Sequence, residues 1–337
     1  MDPDSVARAE RVPHGSSDDP DVLDFSANIN TRVPDGARAA YDAAFGESRS
    51  YPSDDYPDFR AAAAEYVGCS PDEIVPTAGG LAALRLAIAT TVCPGDTALV
   101  PFPSFGEYAR EIELQGGEAT LVPHDDLLDS DPAPHALAVV CNPNNPTGEV
   151  ADADELRAFA RRCRESDTLL LVDEAFLGFT DEPSLAGEPS VVVARSLTKL
   201  FGLPGLRAGF AVASGTVYDR LSTARRAWSL GWPAARVGTV SMRDESFIHE
   251  TRERVARERA FLREALATEF TVAPSDSPFL LVEVPDHDRL IRQAREVGVV
   301  VRDATTFRGL DSHIRVAVCE RDENERLLDA LGVDVPE

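Results

Sequence analysis

Thr168-Leu-Leu-Leu-Val-Asp-Glu174 and, shortly after it, Ser190-Val-Val-Val-Ala-Arg-Ser-Leu-Thr-Lys199 decide the fold of this chain. Apolar runs without polar alternation belong to strands covered on both faces, as in a parallel sheet. Both runs end in polar groups, and open α/β sheets place their ligands at the carboxyl ends of their strands. Working outward, the pattern predicts a helix over 80–92, a strand over 97–101, a helix over 107–115, and strands over 118–122 and 135–141. Asp152, with Glu155 three residues on, signals the start of another helix. This alternation predicts an α/β fold with a mostly parallel sheet. A long helical stretch is expected from Arg220. Beyond about residue 240 the order changes to a charged helix (246–270), a strand (279–284), a helix (287–297), strands at 299–302 and 314–318, and a helix at 323–331. That order is α+β. The expected organisation is an N-terminal arm over 1–45 that joins the small domain, a large domain over 46–235, and a small C-terminal domain over 236–337.

Lys199 is the only lysine among 33 basic residues. Arginine can replace lysine for charge, ion pairing or solubility, but its permanently protonated guanidinium cannot condense with an aldehyde. A chain that keeps one lysine at the end of a buried strand points to covalent amine chemistry. The formal charge of −25 argues against nucleic acid or an anionic membrane surface as a partner. Carboxylates spread through a chain that is 43% hydrophobic suit a folded protein in a salt-rich cytoplasm, where screening suppresses self-repulsion. No stretch has the length of a membrane span, and Met1-Asp-Pro-Asp4 does not open a signal peptide. The five cysteines are odd in number and lack metal-type spacing, so they read as reduced thiols. His124, His135, His249, His287 and His313 show no ligand spacing either, and no metal is expected.

Four polar features fall at predicted strand ends. Thr77-Ala-Gly-Gly-Leu81 opens a helix and offers backbone amides to an anion. Asn142-Pro-Asn-Asn-Pro-Thr-Gly148 follows a strand and has turn chemistry. Asp173 places a carboxylate at a buried strand end, which needs a cationic partner. Ser196-Leu-Thr-Lys199 is followed by Gly205-Leu-Arg207-Ala-Gly209. An anion cup, a carboxylate and a lone amine together suit pyridoxal phosphate.

With these motifs in this order, the chain resembles the fold type I pyridoxal-phosphate enzymes, in the aminotransferase class I/II family. The resemblance runs from about residue 13 to 332. It implies pyridoxal 5′-phosphate on Lys199, which also shuttles protons, with Asp173 on the ring nitrogen, Asn145 on the ring hydroxyl and Phe105 stacked on the ring. Gly80, Leu81, Ser196 and Arg207 would hold the phosphate. Tyr51 would reach the phosphate of a neighbouring subunit, so a homodimer is expected. Leu81 and Ala82 stand where relatives carry polar side chains, and Phe176 where many carry tyrosine.

Within the family the finer resemblance is to the threonine-phosphate decarboxylases. It rests on His14-Gly15, Asp24-Phe-Ser-Ala-Asn-Ile-Asn30, Asp173-Glu-Ala-Phe176, Arg302-Asp-Ala-Thr-Thr-Phe-Arg-Gly-Leu-Asp311 and Arg315-Val-Ala-Val318, although relatives usually have proline at Thr31. It implies O-phosphothreonine as a small-molecule substrate, held by His14, Gly15, Asn28, Asn145, Arg302 and Arg315. The expected product is (R)-1-amino-2-propanol O-2-phosphate for cobalamin biosynthesis. Two alternatives stand beside it. One is histidinol-phosphate aminotransferase or a related aminotransferase, and the more distant one is a non-catalytic regulator of the same fold.

Overall fold

Both opening apolar runs lie in the middle of a seven-stranded sheet. A computed structural model describes residues 1–335. A short strand of the arm, β1 (Leu23–Asp24), comes first. The large sheet follows with β2 (Ile74–Thr77), β3 (Thr97–Phe102), β4 (Glu118–Pro123), β5 (Leu137–Cys141), β6 (Leu169–Asp173), β7 (Val191–Ser196) and β8 (Gly209–Val212). The strand order is β2-β8-β7-β6-β5-β3-β4. Strands β3 to β7 run parallel, while β8 is antiparallel to both β2 and β7. The chain has the mostly parallel α/β architecture expected from its sequence.

Period-two alternation explains why these strands read as unbroken apolar runs. Leu169 and Leu171 pack with Leu137, Val139 and Ala83 on one face. Leu170 and Val172 pack with Val140, Phe159 and Phe210 on the other. The helices that cover the two faces are needed because a parallel sheet cannot leave either face to water.

The helices in chain order are α1 (Pro3–Arg8), α2 (Gly36–Glu47), α3 (Pro57–Val67), α4 (Gly80–Ala89), α5 (Glu107–Glu113), α6 (Ala153–Glu165), α7 (Gly215–Ala224), α8 (Trp232–Met242), α9 (Glu245–Leu266), α10 (His287–Glu296) and α11 (Arg321–Leu331). Asp152 caps α6 by accepting from the Asp154 and Glu155 amides, at 2.9 and 3.0 Å. A second sheet, ordered β12-β13-β10-β9, joins β9 (Thr271–Val272), β10 (Phe279–Glu283), β12 (Arg302–Asp303) and β13 (His313–Ala317) in antiparallel pairs. The arm strand β1 instead pairs in parallel with β11 (Val299–Val300).

Two sequence expectations are corrected here. The helical stretch from Arg220 breaks between α7 and α8, where Arg225 makes a forked contact with Asp54 and Trp228 takes a left-handed conformation, φ 49°. The single strand expected over 299–302 divides at Val301, because β11 serves the arm while β12 serves β13. Among the described residues no helix is long and apolar enough to cross a membrane.

Candidate active site

The strand ends of the large sheet open into a cavity of about 820 Å³, with the arm and the second sheet completing its wall. Seven arginine and lysine side chains line it against three carboxylates, in a chain whose formal charge is −25. A cationic hollow in an anionic molecule focuses field on one spot and draws in anions.

At one end β2 turns into α4. Gly79 is the N-cap with φ 93°, a backbone state that side chains rarely adopt. A Cβ on Gly79 would lie 2.7 Å from Arg207 Nη2, and one on Gly80 would lie 3.0 Å from Ser196 Cβ. Arg207 is itself left-handed, φ 53°. Ser196 Oγ and Thr198 Oγ1 lie 2.8 Å apart. The amides at the start of α4, the Ser196 hydroxyl and the Arg207 guanidinium therefore crowd around one small hollow, which suits a phosphate. Gly80, Leu81, Ser196 and Arg207 all line the cavity.

Asp173 ends β6 beneath the cavity and is buried. Its Oδ2 accepts from the Tyr108 hydroxyl at 2.6 Å and its Oδ1 from the Ala175 amide at 3.0 Å. Burial raises the Asp173 pKa despite these donors. A buried carboxylate held only by neutral donors is suited to a cationic ligand atom, because a cation restores its ionised form. The sequence reading missed Tyr108. A tyrosine on a short helix looks like core, and its partner lies in a strand 65 residues away. Phe105 also lines the cavity and packs edge-on against Tyr108 at 5.5 Å.

Lys199 follows β7 and lines the same cavity. Burial, with Arg315 and Arg207 nearby, pushes its amine down to about 8, and Asp173 opposes the shift. The unprotonated amine is the reactive form, so its fraction grows as pH rises through that value. Covalent loading of the apoenzyme by an aldehyde is therefore expected to rise with a midpoint near 8. An ordinary lysine would titrate near 10.5. Absorbance-monitored loading across pH checks this, and a midpoint above 10 would contradict it.

Opposite the amine, Arg302 and Arg315 are direct cross-strand partners in β12 and β13. Both guanidinium groups lie over the Phe307 ring, at 5.6 and 5.8 Å. Like charges placed opposite each other are destabilising unless an anion joins them. Burial and Arg302 push the Arg315 guanidinium down to about 9. Arg315 donates to Asn145 Oδ1 and, at 2.9 Å, to the Ser26 carbonyl, while its buried Nε has no partner. Arg302 donates to the Pro13 carbonyl at 2.8 Å and to Thr306 Oγ1 at 2.8 Å. His14 lies 3.1 Å from Glu107 and 5.8 Å, ring to ring, from Phe105. Gly15 has no space for a side chain, since a Cβ would lie 2.6 Å from the Ser26 carbonyl. The buried Asn28 Oδ1 lacks a partner as well.

The structure thus brings His14, Gly15, Asn28, Asn145, Arg302 and Arg315 to one cavity with Lys199 and Asp173. Tyr51 does not line it. It is 76% exposed and stacks on Trp228 at 4.5 Å. His124, read as bland, stands with Asp125 and Glu149, their potential ligand atoms all within 4.8 Å.

A lone reactive amine, a buried carboxylate and a phosphate cradle at sheet carboxyl ends define a pyridoxal-phosphate enzyme of fold type I. The chain belongs to the aminotransferase class I and II family, whose model matches residues 20–331. It is 30% identical over 340 residues to a histidinol-phosphate aminotransferase of Halobacterium salinarum, covering 94% of this chain and 91% of that one. A putative threonine-phosphate decarboxylase of Caldanaerobacter subterraneus is 29% identical over 303 residues, covering 83% and 82%. Among solved structures, histidinol-phosphate aminotransferase from Sinorhizobium meliloti in complex with pyridoxal-5′-phosphate superimposes with a TM-score of 0.82 at 22% identity, covering 90% and 88%. The cofactor of this chain is pyridoxal 5′-phosphate. The glycine-lined cradle and the carboxylate with neutral donors fit it.

Proposed function

We propose that this enzyme decarboxylates L-threonine O-3-phosphate to (R)-1-amino-2-propanol O-2-phosphate, a step of cobalamin biosynthesis, acting as a cytoplasmic homodimer adapted to salt. The observation that carries this reading is the cross-strand pair of Arg302 and Arg315 facing Lys199 across one cavity. Two adjacent guanidinium groups suit one ligand that carries two anions, here a carboxylate and a phosphate. Histidinol phosphate carries only one, while the 2-oxoglutarate that an aminotransferase would use as acceptor carries two, so the arginine pair favours the decarboxylase only for the phosphorylated substrate.

Bound pyridoxal phosphate supplies an electron sink for the bond broken at the substrate Cα. The α4 amides, Ser196 and Arg207 would hold its phosphate, Phe105 would stack on its ring, and Asp173 would hold a proton at the ring nitrogen. Asn145 has its Oδ1 engaged by Arg315, which leaves its Nδ2 to donate to the ring hydroxyl. Arg315 takes the substrate carboxylate. Arg302, His14, Asn28 and the Gly15 backbone take the substrate phosphate. Lys199 returns a proton to Cα. Tyr51, exposed and outside the cavity, would reach the cofactor phosphate of a second subunit.

The aminotransferase reading has its own support. Relatives in Archaeoglobus fulgidus, Halobacterium salinarum, Halorubrum lacusprofundi and Haloarcula marismortui are named histidinol-phosphate aminotransferase. Product analysis separates the two. O-Phosphothreonine is expected to release carbon dioxide over many turnovers without a 2-oxo acid. Release no faster than background, together with amino transfer from histidinol phosphate to 2-oxoglutarate, would establish the aminotransferase instead.

The two anion subsites are expected to fail separately from the cofactor site. Arg302→Ala and Arg315→Ala each remove a charge-assisted contact worth about 1.5–3 kcal/mol, or about one to two decades in kcat/KM. The cofactor absorbance of both variants should match that of the parent protein. A changed cofactor spectrum would place these arginines in the cofactor site.

A further inference from the structure

Asn30 ends the arm motif Asp24-Phe-Ser-Ala-Asn-Ile-Asn30 but does not line the cavity, so the proposed reaction leaves it without a role. It is buried, and two of its hydrogen bonds hold the backbone that carries the amine, while its Nδ2 also reaches Thr251 Oγ1 at 3.3 Å. Its backbone N–H donates to the Lys199 carbonyl at 3.0 Å, and its Nδ2 donates to the Leu200 carbonyl at 2.7 Å. Its Oδ1 accepts from Arg254 Nη2 and from the Arg32 amide. The guanidinium settles which end of the amide faces which partner, since Arg254 can only donate.

Lys199 needs such support because β7 stops at Ser196, and no ladder holds the backbone that carries the amine. The arm also packs tightly on the loop that follows. Gly202 is left-handed, φ 66°, and a Cβ there would lie 2.4 Å from the Arg32 carbonyl and 2.8 Å from the Asn30 carbonyl. Arg254 is fixed from behind by Glu320, at 3.3 Å. Glu320 also accepts from Thr31 at 2.8 Å and takes both forks of Arg32, at 2.9 and 2.7 Å. Thr31, a departure from the usual proline, thus joins the cluster that anchors Arg254.

We infer that Asn30 is a positioning residue for Lys199: it holds the carbonyls of residues 199 and 200 so that the amine is presented to the cavity in one orientation. The inference rests on the reading of Lys199 as the cofactor-bearing amine. Displacement of a reacting group by about 1 Å costs on the order of 100-fold in rate, so a clamp on this backbone carries a measurable effect.

The test compares Asn30→Ala and Asn30→Asp apoenzymes in pyridoxal-phosphate loading without substrate. Aspartate keeps an acceptor for Arg254 but cannot donate to Leu200, so both variants should fail alike. Loading at pH 8 is expected to slow about 10- to 100-fold. Its pH midpoint should move up toward the ordinary lysine range as water reaches the loosened amine. The charges that face Lys199, those of Arg207, Arg315 and Asp173, are unchanged in both variants. Loading of Asn30→Asp within twofold of the parent, with an unmoved midpoint, would overturn the inference. Gly202→Ala displaces the arm by crowding the Arg32 and Asn30 carbonyls while leaving every side chain of the cluster in place, and should give the same signature. It decides the matter if the Asn30 variants do not fold, and parent-like loading would again overturn the clamp. Lys199→Arg is the control. If that variant still loads covalently, the assignment of Lys199 fails whatever Asn30 does.

Discussion

Lys199→Arg is expected to give a folded protein with no covalently held cofactor and with turnover reduced by about 10³-fold or more, in line with the loss of a covalent and proton-transferring group. The charge is conserved, yet the guanidinium stays protonated and cannot condense with an aldehyde. Because Lys199 is the only lysine, borohydride reduction of the parent protein should label one peptide, and the exposed Met1 amine should stay free of cofactor. Circular dichroism and the melting midpoint check the fold, and mass analysis of the reduced protein checks the label. A reducible adduct in the arginine variant would refute the assignment.

Asp173→Asn is expected to keep the cofactor and to lose turnover by about two orders of magnitude or more. The phosphate cradle at α4, Ser196 and Arg207 is untouched. Tyr108 still finds an acceptor, because the asparagine carbonyl replaces Oδ2. The charge that holds a proton at the ring nitrogen is gone, and so is the acceptor that Oδ1 offered the Ala175 amide. Activity within a few-fold of the parent, about 1 kcal/mol in barrier, would mean that Asp173 has another role. Cofactor absorbance and single-turnover rates measure the two halves separately.

Much of this was legible in the sequence, for physical reasons. Strands buried on both faces leave continuous apolar runs, so β5, β6 and β7 could be read directly, and the polar groups at their ends marked the cavity floor. Strand β8 could not be read so. Its four residues follow the Gly205-Leu-Arg207 turn, and nothing local says that they insert antiparallel between β2 and β7. The helices α2 and α3 were missed because their buried residues are mostly alanines, Ala37 and Ala44 in α2 and Ala62, Ala63 and Ala64 beside Phe59 in α3, which leave a faint apolar stripe. Residues 225–231 looked helical because their break is imposed by Asp54, 171 residues away. At the site, residue types with distinctive chemistry were found: one lysine, a strand-end carboxylate and arginines in motifs. Tyr108 and Asn30 were not. Each is an ordinary core or turn residue until its partner across the fold is known.

Arg315 gathers three parts of the chain that are distant in sequence on one planar group. It stands on β13, donates to the arm at Ser26, and donates to Asn145 in the loop after β5. Under the proposed function, a substrate carboxylate arriving there would compete for donors that already fasten the arm and the large sheet to the second sheet. Whether the cavity is filled and how firmly its walls are joined are therefore not independent quantities. The guanidinium works as a shared knot, and retying it is how the molecule would register that a guest has come in.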